Sequence, residues 1–239
     1  MPWSPDDWTR TPNYWPVRRT PTTIGLHSTR GGKRNLLGLR TRHGIQVEYN
    51  ATRSWFSLRA SNASAHGVVG PMGRLCRFCT GPVPLMLDAA AIHEAEATPR
   101  WHAGIGQFGV GVTSLALEMV QEWEEDAYDG LVLERSAEVC ADWARRYVIP
   151  VQYIAEPGTR FDGTDASLKG FWLHEQVLSK TDPGRMFPAR EWLSTVEGMA
   201  TRHFPGANLE ALERRAGERI LHLEEQIAEH TARSLQPHV

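Results

Sequence analysis

The chain has 239 residues, 41% of them hydrophobic and 23% charged, and its net charge at pH 7 is −2. These values are typical of a globular protein that buries one sizeable core, and the charge balance gives no basis for a nucleic-acid partner. No apolar run approaches a membrane span and no secretory signal opens the chain, so we expect no membrane insertion and synthesis in a cytoplasm.

The N-terminal 21 residues place Trp3, Trp8, Tyr14 and Trp15 among several prolines. Because proline excludes a regular helix, we predict an extended arm whose indoles pack on the domain surface, with carbohydrate binding as the alternative. The β-prone run from Thr22 to Thr29 follows and contains His27. A strand holds such a side chain rigidly beside an open loop, which is a good position for a metal ligand.

The next segment predicts a helix and then a hairpin. Apolar residues at Val47, Ala51, Trp55 and Leu58 recur at helical spacing, so a helix from Ile45 to Leu58 is expected to pack against a sheet. Residues 65–78 predict a hairpin that turns at 71–73. The lone Cys-x-x-Cys of Cys76 and Cys79 has no second pair, which favours two structural thiols over a metal site.

A strand from Ser114 to Val120 is expected at the centre of the sheet. Residues 79–97 are expected to form a loop. The glycine-rich stretch after it, with Gly104, Gly106, Gly109 and Gly111, is expected to form a flexible wall of the substrate groove. Alternation places Glu118 on the face opposite Leu115 and Leu117, where the carboxylate can serve as a general base for a metal-bound water. The alternative is a glutamate of an edge strand in solvent.

The sequence after the predicted central strand indicates further helices, a loop and a strand on both sides of a cluster of polar residues. We expect an acidic loop over 122–138, a helix over 136–148 capped by Ser136, a strand over 148–154 and a helix over 188–203. A last amphipathic helix over 207–233 carries four Arg against six Glu, which argues against a membrane-disrupting tail. It could dock on its own domain or pair with a second copy.

The residues from His174 to Gly184 combine an imidazole, an ammonium and a carboxylate, at His174, Lys180 and Asp182. The imidazole and the carboxylate suit zinc, and the lysine suits an oxygen that becomes negative during hydrolysis. Together, His27, His174 and Asp182 make three ligands and leave a fourth position open, as in catalytic zinc sites. A solvated polar loop is the alternative.

These motifs resemble, in order, those of the zinc-dependent N-acetylmuramoyl-L-alanine amidases, and most of all the catalytic domains of phage endolysins. The matching segments are 27–29, 64–69, 101–104, 114–118 and 174–184. The family resemblance implies an α/β fold with a mixed central β-sheet flanked by helices, and one Zn2+ ion on His27, His174 and Asp182. It implies catalytic roles for Glu118 and Lys180. Candidate substrate contacts are Trp101, His102, Ser64 and His66, although His66 could equally be a buried structural histidine.

This chain departs from the family pattern at two points, and the resemblance implies a function. Gly111 replaces a usual asparagine, and the short interval from His174 to Lys180 is similar to that of the phage members. We expect a catalytic domain over 22–204 that cleaves the amide between N-acetylmuramic acid and L-alanine of peptidoglycan, and that reaches the wall only after release from the cytoplasm. The alternatives are a module that binds peptidoglycan without cleaving it, and a zinc endopeptidase or other amidase on the same fold.

Overall fold

The computed structural model describes residues 6–18, 20–30, 33–34, 40–41, 44–61, 64–79, 89–91, 113–123, 125–163, 165, 167–177 and 181–202. The chain divides into two compact units, residues 1–200 and 201–239. Of the second unit only Thr201 and Arg202 are described, so the predicted helix over 207–233 lies outside the described residues.

A mixed six-stranded sheet forms the centre of the first unit. Its strands, with the others in chain order, are β1 (Asp7–Arg10), β2 (Tyr14–Arg18), β3 (Thr23–Arg30), β4 (Lys33–Arg34), β5 (Arg40–Thr41), β6 (Gly67–Val69), β7 (Leu75–Cys79), β8 (Ala89–Ala91), β9 (Ser114–Gln121) and β10 (Gly170–Leu173). The sheet order is β1-β7-β6-β9-β3-β10, while β2 pairs with β8 and β4 with β5. Within the large sheet only the β6–β7 hairpin is antiparallel.

Among the described residues, three α-helices cover the sheet: α1 (Ile45–Ser57), α2 (Gly130–Tyr147) and α3 (Ala189–Arg202). Tyr49 and Phe56 of α1 pack on one side of the sheet, which we call the α1 face. Trp143 of α2 and Trp192 of α3 pack on the other side, the α2/α3 face. Helices on both faces of a mixed sheet make the predicted α/β fold class, which is confirmed.

Strand β9 lies in the interior of the sheet, as predicted. Leu115, Leu117 and Met119 belong to the core on the α2/α3 face, whereas Ala116 and Val120 belong to the core on the α1 face. Because side chains alternate along a strand, Glu118 rises from the α1 face. The predicted hairpin and its turn at Pro71–Gly73 are also present.

The predicted helix α1 is present, but the prediction of the side that packs was wrong. Val47, Trp55 and Leu58 are each about half exposed, while Tyr49 and Phe56 are buried against the sheet. The reason lies directly after β6: a Cβ added to Gly70 would lie 2.2 Å from the Tyr49 ring. The glycine therefore leaves a gap that an aromatic ring fills, and this fixes the rotation of the helix.

The predicted start of α2 at Ser136 was also wrong. The helix begins at Gly130, where the Asp129 carboxylate accepts a hydrogen bond from the Leu131 amide at 2.8 Å. Ser136 lies within the helix, and its hydroxyl donates to the Leu133 carbonyl and accepts from the Trp192 indole. Of the acidic residues over 122–138, Glu134 and Glu138 lie on α2, whereas Glu122, Glu125, Asp126 and Asp129 precede it.

The predicted strand over 148–154 is replaced by an irregular segment. Val148 adopts a left-handed conformation (φ 55°, ψ 44°) and ends α2. Only Tyr153 forms a bridge, with Phe171 of β10, so residues 152–154 cover part of the outer edge of that strand. The predicted helix over 188–203 corresponds to α3, preceded by Pro188.

Two further segments differ from their predictions. Residues 89–91, expected in a loop, form β8. Residues 7–10 of the predicted arm form edge strand β1. Within it, the Trp8 ring is 44% exposed, and its centroid lies 5.0 Å from the Arg77 guanidinium.

Among the described helices, none combines the length and the apolar character that crossing a membrane requires.

Candidate metal centre

The candidate site is built on one row of residues that crosses adjacent parallel strands. Val68 of β6 is paired with Glu118 of β9, and Glu118 with His27 of β3. The next strand, β10, pairs Leu173 with Leu26, so His174 follows directly beside His27. Register partners on parallel strands share a face, and strands are about 4.8 Å apart. The sheet itself therefore aligns the carboxylate and the two imidazoles.

Three possible ligand atoms converge at the end of this row. The Nδ1 atom of His27 lies 3.0 Å from Nδ1 of His174, which lies 2.9 Å from Oδ2 of Asp182. The remaining distance, from His27 Nδ1 to Asp182 Oδ2, is 3.8 Å. All three residues are at least nine-tenths buried. Residues that are 147 and 8 positions apart thus meet at one point.

The triangle of these atoms fits a small divalent ion. Zinc binds imidazole nitrogen and carboxylate oxygen at about 2.0–2.2 Å, so two ligands in tetrahedral coordination lie roughly 3.3 Å apart. The three observed distances bracket this value. Two neutral imidazoles and one carboxylate are also a usual donor set for catalytic zinc, so the residues fit the ion that the sequence implies.

Backbone hydrogen bonds hold the aspartate ligand in place. The Ser28 amide donates to Oδ2 of Asp182 at 3.4 Å, and the Glu175 amide donates to the Asp182 carbonyl at 2.7 Å. The next residue is fixed as well, because the buried Tyr128 hydroxyl donates to the Pro183 carbonyl at 2.7 Å. The loop is thereby tied to β3, to the histidine turn and to the segment before α2.

A buried amide supports the turn that carries His174. This residue begins a 3₁₀ turn over His174–Gln176. The Gln176 side chain accepts from the Leu173 amide at 2.8 Å and donates to the carbonyls of Ala155 and Glu156 at 2.8 and 3.0 Å. These bonds hold the backbone of His174 in place, which favours metal binding.

The other predicted site residues divide into described and undescribed ones. Glu118 is partly buried beside His27. Ser64 is buried just before β6. Trp101, His102 and Lys180 lie outside the described residues.

His66 has the contacts of a structural histidine. Its Nδ1 accepts a hydrogen bond from the Ala116 amide at 3.0 Å, and its ring lies 6.2 Å from Trp143 of α2. These contacts direct it to the α2/α3 face, away from the face that carries Glu118 and His27. The predicted substrate contact of His66 stays a prediction.

The two cysteines whose side chains are described also have structural surroundings. Cys76 is buried on the α1 face and its thiol donates to the Thr9 hydroxyl at 3.3 Å, while Cys140 is buried within α2. Burial raises the pKa of both thiols. A thiol that is kept protonated in this way is a poor metal ligand and a poor nucleophile.

Sequence reasoning missed three residues that shape the site: Tyr128, Gln176 and Trp172. Tyr128 and Gln176 act through backbone carbonyls, so no pattern of side chains along the chain indicates their partners. Trp172 could have been suspected from its position two residues before His174, since residues i and i+2 share a strand face.

Comparisons with known proteins cover most of the chain. A family model described as N-acetylmuramoyl-L-alanine amidase matches residues 17–185, most of the sequence. No curated protein sequence matches it. The solved structure of PlyL is 14% identical, with a TM-score of 0.50, and the match covers 81% of this chain and 95% of PlyL. A selenomethionine derivative of AmpD is 18% identical, with a TM-score of 0.48, over 81% of this chain and 96% of that one. At such identities the likeness to PlyL shows the fold alone.

Proposed function

This chain belongs to the family of N-acetylmuramoyl-L-alanine amidases, and on that premise we propose that it is a peptidoglycan amidase of the endolysin type that depends on one zinc ion. The bond cleaved joins the lactyl carbonyl of N-acetylmuramic acid to the amine of L-alanine. The observation that carries the metal dependence is the convergence of His27, His174 and Asp182, whose ligand atoms all lie within 4.8 Å of one another. The proposal includes a lytic role, in which the enzyme reaches the wall after release from the cytoplasm.

The three converging residues would hold the ion. Zinc bound there would supply Lewis acidity, which makes water more acidic and polarises the scissile carbonyl. His27 and His174 both present Nδ1 to the site, and the Ser28 amide keeps the Asp182 carboxylate turned toward them. Since these residues are buried, bulk water is largely excluded and electrostatic interactions inside are strengthened.

Glu118 is the proposed general base. Its register pairing with His27, which puts both residues on the same sheet face, supports this role, and its side chain is partly buried. The carboxylate takes a proton from the attacking water as the new C–O bond forms. It then returns the proton to the L-alanine nitrogen as the C–N bond breaks, so the products are a lactyl carboxylate and a free amine.

Lys180 is the proposed electrostatic partner of the substrate oxygen. The family resemblance implies that its ammonium acts on the carbonyl oxygen, which becomes negative when water adds. A fixed positive charge at this point stabilises the transition state more than the substrate. The lysine thus lowers the barrier without taking part in proton transfer.

Mass spectrometry of digested peptidoglycan tests the proposed reaction. Purified wall is incubated with the zinc-loaded full chain and with the Glu118→Gln variant. We expect new L-alanine amino termini and intact glycan strands from the wild type, and a much smaller yield from the variant. Bound but unchanged wall would instead indicate a binding module, and cleaved crossbridges would indicate an endopeptidase. Either result would overturn the proposal.

A further inference from the structure

We propose that Trp172 is a positioning residue, which holds the imidazoles of His27 and His174 so that both Nδ1 atoms point at the metal position. This inference rests on the proposed zinc-dependent function. It assigns a role to the indole of Trp172 in β10, which is fully buried yet belongs to neither of the two main cores.

The ring of Trp172 contacts both imidazoles. Trp172 is paired with Gly25 on β3, so its side chain rises from the same sheet face as His27, two residues further along. Its ring centroid lies 5.5 Å from that of His27 at an interplanar angle of 79°, and 6.4 Å from that of His174 at 75°. Both are edge-to-face contacts, which are favourable and depend on ring orientation. One indole thus forms a common wall for two ligands.

The wall is itself fixed from two directions. The indole Nε1 donates to the Ser114 hydroxyl of β9 at 3.0 Å. The ring also lies directly over Gly25, where an added Cβ would come within 2.4 Å of it. Any side chain at that position would displace the ring. Gly25 and Ser114 together therefore fix the position of the indole, and the indole in turn limits the rotation of the two imidazole rings.

An orienting wall matters because an imidazole can rotate. The χ2 torsion of histidine has a broad, roughly two-fold preference, and rotation exchanges the positions of the ring atoms. The two rings must turn their Nδ1 atoms to the same point for the three ligands to converge, and these atoms lie 3.0 Å apart. Groups that hold a ligand in its binding orientation typically change metal affinity by about 10–100-fold. We expect the loss of the Trp172 indole to weaken zinc binding by a factor in this range.

The test compares two buried tryptophans. Trp172→Phe shortens the wall, whereas Trp143→Phe makes the same change on the α2/α3 face, where Trp143 is equally buried. Zinc affinity is measured on the full chain by competition with a chromophoric chelator, and thermal unfolding is measured on the metal-free proteins. We expect zinc to bind about 10–100-fold more weakly to Trp172→Phe and with wild-type affinity to Trp143→Phe. Both variants should unfold at lower temperature.

Two further measurements keep the proposal falsifiable if Trp172→Phe does not fold. Ser114→Ala retains the indole but removes its anchor, and it should weaken zinc binding in the same direction by a smaller factor. The absorption spectrum of the cobalt-substituted protein should change in Trp172→Phe or Ser114→Ala and not in Trp143→Phe. Wild-type zinc affinity and an unchanged cobalt spectrum in the site variants would overturn this role alone. A wild-type chain that binds no zinc would overturn the proposed function and this role with it.

Discussion

The Nδ1 atoms of His27 and His174 lie 3.0 Å apart, and the second of them lies 2.9 Å from a carboxylate oxygen of Asp182. A neutral imidazole carries one N–H and one lone pair, so two facing nitrogens must share a proton or a cation. A zinc ion satisfies both nitrogens and the carboxylate together. The geometry of the site therefore leads directly to predictions about metal and catalysis.

Glu118→Gln should separate metal binding from turnover. Glutamine keeps the size of the side chain but cannot accept the proton, so kcat should fall by about 100-fold or more while zinc content is unchanged. The matched control is Glu138→Gln, because Glu138 lies on α2 and pairs with Arg135. Near-wild-type turnover by Glu118→Gln would remove this residue from the mechanism.

Lys180→Met should reduce turnover without reducing metal content. The change removes the charge proposed to stabilise the developing oxyanion and keeps a similar apolar stem, so kcat should fall by about 100-fold or more. Lys169→Met removes a charge from an exposed position just before β10 and serves as the control. Equal activity of the two variants would argue against the role of Lys180.

Tyr49→Phe should make the protein more resistant to alkaline unfolding. Burial raises the pKa of Tyr49 from 10.0 to about 12, and the nearby Cys76 adds to the shift. Between these values the unfolded chain loses the tyrosine proton before the folded chain does, so the free energy of unfolding falls as pH rises. The phenylalanine variant lacks this contribution.

The measurement is the urea midpoint of both proteins from pH 9 to pH 12. The Tyr49 hydroxyl has no hydrogen-bond partner among the described residues, so the substitution should cost little at pH 8. Parallel pH profiles for wild type and variant would show that Tyr49 titrates equally in the folded and unfolded states.

Asp129→Ala should destabilise the protein and leave its chemistry intact. The Asp129 carboxylate accepts from the Leu131 amide at the start of α2, and loss of such a cap costs about 1 kcal/mol. Asp129→Asn should restore most of the stability, because asparagine caps about as well. Denaturant midpoints with matched zinc content check this, and an alanine variant as stable as the wild type would contradict it.

The convergence of His27, His174 and Asp182 was easier to predict than the packing around them. The residue types of His27, His174 and Asp182, with the strand alternation at Glu118, indicate metal chemistry because few other roles need them together. The family match and the mixed sheet confirm the predicted family and fold class. The ligand and catalytic assignments stay predictions until metal and activity are measured.

The errors arose where two local signals competed. Helix α1 has two apolar stripes, and the choice between them depends on the gap above Gly70, which lies directly after β6. Both Asp129 and Ser136 are good caps, and the amphipathic pattern between them decides the start of α2. Val148 looks like a strand residue but adopts a left-handed conformation after the helix. In each case a tertiary contact or a helix end outweighed intrinsic propensity.

The zinc content of the native chain, purified without chelator, tests the central claim most directly. Inductively coupled plasma mass spectrometry should find one zinc ion per wild-type chain, and less than about a tenth of that in His174→Ala and Asp182→Asn, because each loses one of three ligands. A wild-type chain that carries no zinc and takes up none when zinc is added would contradict the account. So would a His174→Ala variant that keeps its full complement.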